Sequence, residues 1–270
     1  MEATSPQAWQ PLTPRGVAAF ASAPLRRLLL VQFCVALLAA AAIAWLLCDA
    51  YFPVIDKAIA QLPAEGEIRR GQLQWRGTVP AILAENRFLA LSVDLNHSAR
   101  LRSVAHMQIE FGRDDFRMHS LFGYAAAKYP QGWIIAANRQ ELEPRWGAWR
   151  PALVVGAMMV VGIGLFLSWF GLATLYAGPV CFAAFFLNRE ISWSGSWKFS
   201  AAAVLPGALL MVAGICLYVA GLTDLVQMSF IFAAHFLVGW VYSALSVFFL
   251  PKVASANQRR GNPFAMKARK

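Results

Sequence analysis

Four apolar stretches set the limits on what this chain can fold into. A helix crossing a bilayer needs about 20 apolar residues, because no water is there to satisfy an open backbone. Residues 28–48 form such a run of 21, with Gln32 as the only polar interior side chain, Arg26-Arg27 before it and Asp49 after it. Residues 151–187 are apolar for 37 positions, and runs 199–222 and 225–250 follow with only Thr223-Asp224 between them. The composition agrees: 59% of residues are hydrophobic, 14% are charged, and mean hydropathy is +0.51. Soluble domains are nearer half apolar and a quarter charged. The first run is longer than a signal-peptide core and does not end in a small-residue cleavage site, so it reads as an uncleaved anchor.

The formal net charge of +10 would suit nucleic acid if it formed a stripe, but it is mainly terminal. Residues 1–27 carry Arg15, Arg26 and Arg27 against Glu2, and residues 251–270 carry six basic side chains and no acid. Residues 49–150 hold 13 Lys/Arg against 11 Asp/Glu. Basic ends are what cytoplasmic flanks retain under the positive-inside rule. No basic stripe with interleaved aromatics is present, so nucleic acid is not an expected partner.

Charge also sets the number of crossings. If 151–187 crosses once, the chain has four spans and both termini are inside. A second crossing would put the six-charge tail outside, against the rule. The expected organisation is therefore a cytoplasmic segment 1–27, transmembrane helix 28–48, an extracytoplasmic domain 49–150, a transmembrane region 151–250 and a basic cytoplasmic tail 251–270. Within 151–250 the spans are about 151–173, 199–222 and 225–250, with a kinked or interfacial stretch at 174–187; a tight hairpin near Gly171 is the alternative. The fold class is a polytopic α-helical membrane protein with an inserted small α+β extracytoplasmic domain, located in the cell inner (plasma) membrane. Trp146, Trp149, Trp193 and Trp197 precede spans, where indole rings favour the headgroup layer. Ala152/Gly156 and Ala203/Gly207 are small-xxx-small pairs suited to close helix contact. The four cysteines, 34, 48, 181 and 216, lie in or beside apolar runs and read as buried thiols.

Within 49–150, residues 51–61 read as a short helix ended by Pro63, followed by strands at 66–76, 88–95 and 104–111. Residues 132–137 suit a strand or a short helix. Trp75 and Trp133 read as core aromatics in preference to sugar-stacking faces. His97, His106 and His119 near Asp114 and Asp115 match no metal-ligand spacing. Asp94 and Glu110 are a pair of acids without a further catalytic signal. No Gly-rich phosphate loop, Gly-x-Ser-x-Gly elbow or His-Glu-x-x-His helix occurs. Inside the last span, Gln227 and His235 are the polar candidates, and His235 is expected to bond between helices. No catalytic, cofactor-binding or metal residue is assigned, and no cofactor is expected.

The order of anchor, outer domain and C-terminal spans over residues 28–250 is joined by short motifs. These are Leu62-Pro63 with Gly66-Glu67-Ile68-Arg69-Arg70-Gly71, then Leu91-Ser92-Val93-Asp94, then Ile109-Glu110-Phe111-Gly112-Arg113-Asp114-Asp115-Phe116. Lys198-Phe199-Ser200 leading to Leu205-Pro206 completes the set. In these the chain resembles a bacterial family of membrane proteins of unknown function, some members of which are labelled maltodextrin-utilisation proteins. The resemblance implies a cell-envelope accessory role near carbohydrate uptake and carries no catalytic residues. The expected function is a non-enzymatic accessory, scaffold or sensing protein whose outer domain binds a protein, glycan or envelope component. The alternative is a transport-system subunit dependent on protein partners in the membrane. A membrane enzyme acting on lipid or glycan ranks last.

Overall fold

The computed structural model describes residues 10–98 and 100–253; the tail expected at 251–270 lies outside the described residues beyond Val253, as do the first nine residues of the N-terminal segment. The helices are α1 (Pro14–Ala19), α2 (Leu25–Trp45), α3 (Phe52–Ala60), α4 (Arg139–Phe186), α5 (Trp193–Ala203), α6 (Leu205–Val219) and α7 (Leu225–Val247), with a π-helical turn, Leu46–Tyr51, joining α2 to α3. Four helical stretches are long and apolar enough to cross a membrane: Leu25–Ala60, Arg139–Phe186, Trp193–Val219 and Leu225–Val247.

The chain divides into two compact units. The first comprises Met1–Leu37, Ile163–Met211 and Ile231–Lys270, and its described part is helical. Val17, Phe20, Leu28, Phe199 and Leu250 are almost fully buried there among Ala173, Ala184 and Ala201 to Ala203, whose small side chains let backbones approach. Gly207 meets α7 so closely that a Cβ there would strike the His235 carbonyl. The pair Ala203/Gly207 is thus a helix contact, as its spacing predicts. Gly156 has open space where its side chain would be, so Ala152/Gly156 makes no such contact. Two further expectations are corrected. The His235 ring bonds the Phe232 carbonyl of its own helix, where the i−3 carbonyl is nearest, and none of the four cysteines is buried. A cross-helix bond comes from elsewhere: Trp240 Nε1 donates to the Tyr176 hydroxyl at 2.9 Å.

α4 is uninterrupted for 48 residues, about 72 Å at the helical rise. The kinked or interfacial stretch expected at 174–187 is part of it as far as Phe186, and there is no hairpin at Gly171. Pro179 has no N–H to give the Leu175 carbonyl. Against that cost stands a buried stripe, Ala173, Ala177, Val180 and Ala184, which holds the segment helical by packing.

The second unit comprises Leu38–Gly162 and Val212–Phe230 and contains the β-rich domain. Its strands are β1 (Gly66–Arg69), β2 (Gln72–Trp75), β3 (Ala81–Glu85), β4 (Leu89–Val93), β5 (Met107–Phe111), β6 (Asp115–Ser120), β7 (Gly123–Lys128) and β8 (Ile134–Ala136). They form a three-stranded sheet in the order β2-β1-β8 and a five-stranded sheet in the order β3-β4-β5-β6-β7. The stretch expected as one strand at 66–76 is a hairpin, because Arg70 and Gly71 both take positive φ. The strands expected at 88–95 and 104–111 are present as β4 and β5, and 132–137 contains β8. β4 and β5 pair in parallel within an otherwise antiparallel sheet, so the long 94–106 connection is needed to return the chain to the starting end.

Candidate functional site

Two helices and both sheets surround an apolar cleft of about 500 Å³. From α3 and the turn after it come Ile55, Ala58, Ile59 and Leu62, spaced i, i+3, i+4, i+7. From α4 come Leu142, Arg145, Trp146 and Trp149 at the same spacing, which puts each set on one helix face. The sheets contribute alternate residues, as pleating requires. Ile68 pairs with Leu73 on one side and Ile135 on the other, and Trp75 lies two residues beyond Leu73. On the larger sheet, Leu91 and Val93 of β4 join Leu83 and Phe111.

A hydrogen-bond cluster fastens the helical wall. The Asp56 carboxylate of α3 accepts from Trp146 Nε1 at 2.6 Å and from Arg150 Nη1 at 3.1 Å. Phe52 packs edge-on against the Trp146 ring at 5.1 Å, and the Arg150 guanidinium lies 5.1 Å from the Phe52 ring centre. Arg145, the charged residue of the lining, is exposed and bonded to Glu141 at 3.0 Å. The indole N–H being satisfied by Asp56, the walls offer an entering molecule almost nothing but hydrocarbon and aromatic surface. Pockets of this size and lining suit a small or chain-like apolar ligand.

The polar residues singled out by sequence lie away from this cleft, and the fold brings some of them together. His97 stands at φ +49 in the 94–106 connection, a conformation uncommon for a side chain of its size. Its Nδ1 lies 2.5 Å from Glu110 and its Nε2 2.5 Å from Asp115. A neutral imidazole has one N–H, so both contacts are hydrogen bonds only when the ring is protonated. Burial alone would lower the pKa of His97, but the bonds to Glu110 and Asp115 outweigh it and raise the value. The ring is packed against the Gly112 turn, where a Cβ would strike it. Asp94, 3% exposed, does not pair with Glu110; it accepts from the Ser98 N–H at 2.7 Å and hydroxyl at 2.6 Å and shapes the loop that carries His97.

The remaining candidates are dispersed. Asp114 accepts from Gln72 at 3.0 Å, and His119 stacks on Tyr124. His106 Nδ1 lies 2.5 Å from the Tyr218 hydroxyl near the end of α6, and burial followed by the Arg87 charge lowers its pKa. Asp224 and Gln227 cap α7 reciprocally: the Gln227 N–H donates to the Asp224 carboxylate at 2.7 Å and the Asp224 N–H to the Gln227 side-chain oxygen at 3.0 Å. Trp75 lines the cleft, whereas Trp133, expected in the core, is 69% exposed in the turn before β8. Among the described residues no group of three or more His, Cys, Asp or Glu is arranged to hold a metal ion. No family model, curated protein or solved structure matches the chain.

Proposed function

We propose that the chain is a multi-pass membrane protein, both termini cytoplasmic, whose outer domain binds a lipid acyl chain in the apolar cleft. The role is one of binding in the cell envelope, not of chemistry. The observation that carries it is the lining: of eighteen residues around the cleft, Arg145 alone carries a formal charge. A glycan or peptide would need several polar partners there, since each unmet hydrogen bond costs about 1–3 kcal/mol. A methylene chain needs none and gains about 0.8 kcal/mol per buried CH₂.

Position favours lipid over other apolar ligands. Trp146 and Trp149 on the cleft wall sit five and two residues before the apolar stretch that begins at Pro151, on the same unbroken helix. α3 is likewise continuous, through the π-helical turn, with α2. On the membrane reading, both helical walls rise directly from the bilayer, and the exposed Trp149 ring sits at the headgroup level.

The test uses the full-length protein in detergent with cis-parinaric acid, a fluorescent fatty acid. Saturable binding is expected, together with loss of at least tenfold in affinity for Ala58→Trp or Leu91→Phe, which fill the cleft. Equal binding by wild type and by both folded variants would remove the acyl-chain reading.

A further inference from the structure

The five-stranded sheet has one end near the start of α7, and that end carries an apolar turn which the acyl-chain cleft does not use. At this end Met107 of β5 pairs with Ser120 of β6. Beside Met107, His106 reaches the Tyr218 hydroxyl, Phe88 packs edge-on to the Tyr218 ring at 5.0 Å, and Arg87 Nη2 donates to the Thr223 carbonyl at 2.5 Å. The β6–β7 turn projects from the same end. A cavity of about 440 Å³ has Ser120 and Leu121 on one wall and Asp224, Leu225 and Val226 on another. Leu121 therefore lies at the level of the first turn of α7, where Asp224 caps the helix.

On this turn Leu121 is 58% and Phe122 77% exposed, and Tyr124 beside it in β7 is 71% exposed. Such a group facing water is a liability unless something apolar covers it. The turn is shaped to hold the group out: Ser120 Oγ accepts from the Phe122 N–H at 3.2 Å, and Gly123 takes φ +116, which few other residues could adopt. Leu222 and Val226, on the neighbouring loop and helix, are also exposed. An apolar tip beside the water-facing end of an apolar helix lies where the bilayer interface begins, and aromatic side chains partition there.

We infer that the β6–β7 turn is a membrane-dipping finger, with Leu121 and Phe122 entering the outer-leaflet interface beside α7. The inference rests on the membrane reading of the four helices but not on the acyl-chain reading of the cleft. It gives the outer domain an attachment to lipid separate from its two helical stems.

The experiment places a nitrobenzoxadiazole dye on single cysteines in full-length protein whose four native cysteines are alanine. The sites are Phe122→Cys, Arg113→Cys at the opposite end of the sheet, and Leu237→Cys on the exposed face of α7. Each protein is reconstituted in phosphatidylcholine vesicles carrying a nitroxide high on the acyl chain. Quenching at 122 at least about twofold stronger than at 113, with a blue-shifted emission, is the expected result for an interfacial side chain. Quenching at 237 with 122 no different from 113 overturns the finger while leaving the membrane reading intact, whether the turn is bare or covered by a second copy. Absence of quenching at both 237 and 122 removes the membrane reading, and the finger with it.

Discussion

Asp56 on α3 and Trp146 on α4 are ninety positions apart in sequence and joined by a 2.6 Å hydrogen bond from the indole N–H to the carboxylate. That bond fixes the separation of the two helical walls of the cleft, and the Arg150 guanidinium completes the carboxylate's partners. Asp56→Ala should lower stability by about 1–3 kcal/mol, because it leaves a half-buried indole N–H without an acceptor. Asp56→Asn retains an acceptor and should lose less. Denaturant unfolding of Asp56→Ala, Trp146→Phe and the double variant checks this: strictly additive losses would mean that the two side chains are not coupled.

Gly207 and Gly156, each in a long apolar helix, make an opposed pair. Gly207→Ala should destabilise by about 1–3 kcal/mol, since its new methyl meets the His235 carbonyl and the backbones must separate. Gly156→Ala, made in open space, should be neutral or stabilising by up to about 1 kcal/mol through helix propensity. Thermal melting of both variants in the same detergent distinguishes them; equal shifts would contradict the packing described at Gly207.

Histidines 97 and 106 should give stability opposite pH dependences. The pKa of His97 is raised, so its contribution is present in full below the unfolded value of about 6.5 and fades as pH climbs through the folded value. The pKa of His106 is lowered, so the folded state loses stability as pH falls from about 6.5 through the folded value. His97→Gln should flatten the alkaline side of a melting-temperature profile and His106→Gln the acid side. Profiles that change on the same side for both variants would rule out the assignment.

Arg87 spans from the β-rich domain to the Thr223 carbonyl and lies 4.8 Å from the Phe88 ring centre. Arg87→Ala should remove that bond and speed amide hydrogen exchange in residues 220–224 by about tenfold or more. Unchanged exchange there, with the protein folded, would show that the loop is held by other contacts.

The features legible in the sequence were those carried by long or strictly periodic patterns. The apolar runs mark the helices, and the partial alternation in Leu89 to Val93 and the full alternation in Met107 to Phe111 mark β4 and β5. Three strands escaped for identifiable reasons. β3 reads Ala-Ile-Leu-Ala-Glu and β7 reads Gly-Tyr-Ala-Ala-Ala-Lys, compositions that favour helix locally, while β6 is broken up by Asp115, Arg117 and His119. Pairing along the sheet overrides these preferences. The helical halves of the cleft are visible as Ile55/Ala58/Ile59/Leu62 and Leu142/Arg145/Trp146/Trp149, but their facing one another is settled only by the sheets between them in sequence. His97, Glu110 and Asp115 come from a loop and two strands, and no spacing in the sequence announces such a meeting.

Helix leads into the β-rich domain from Leu25 to Ala60 and out of it from Arg139 to Phe186. On the proposed reading, the mouth of the cleft opens at the leaflet surface. A lipid would then reach it by lateral diffusion, and the relevant concentration is that of lipid per area of leaflet, far higher than any free fatty acid attains in water. A site so placed needs only modest intrinsic affinity to be filled. Its occupancy would follow the composition of the membrane around it, which makes the domain suited to report on that composition.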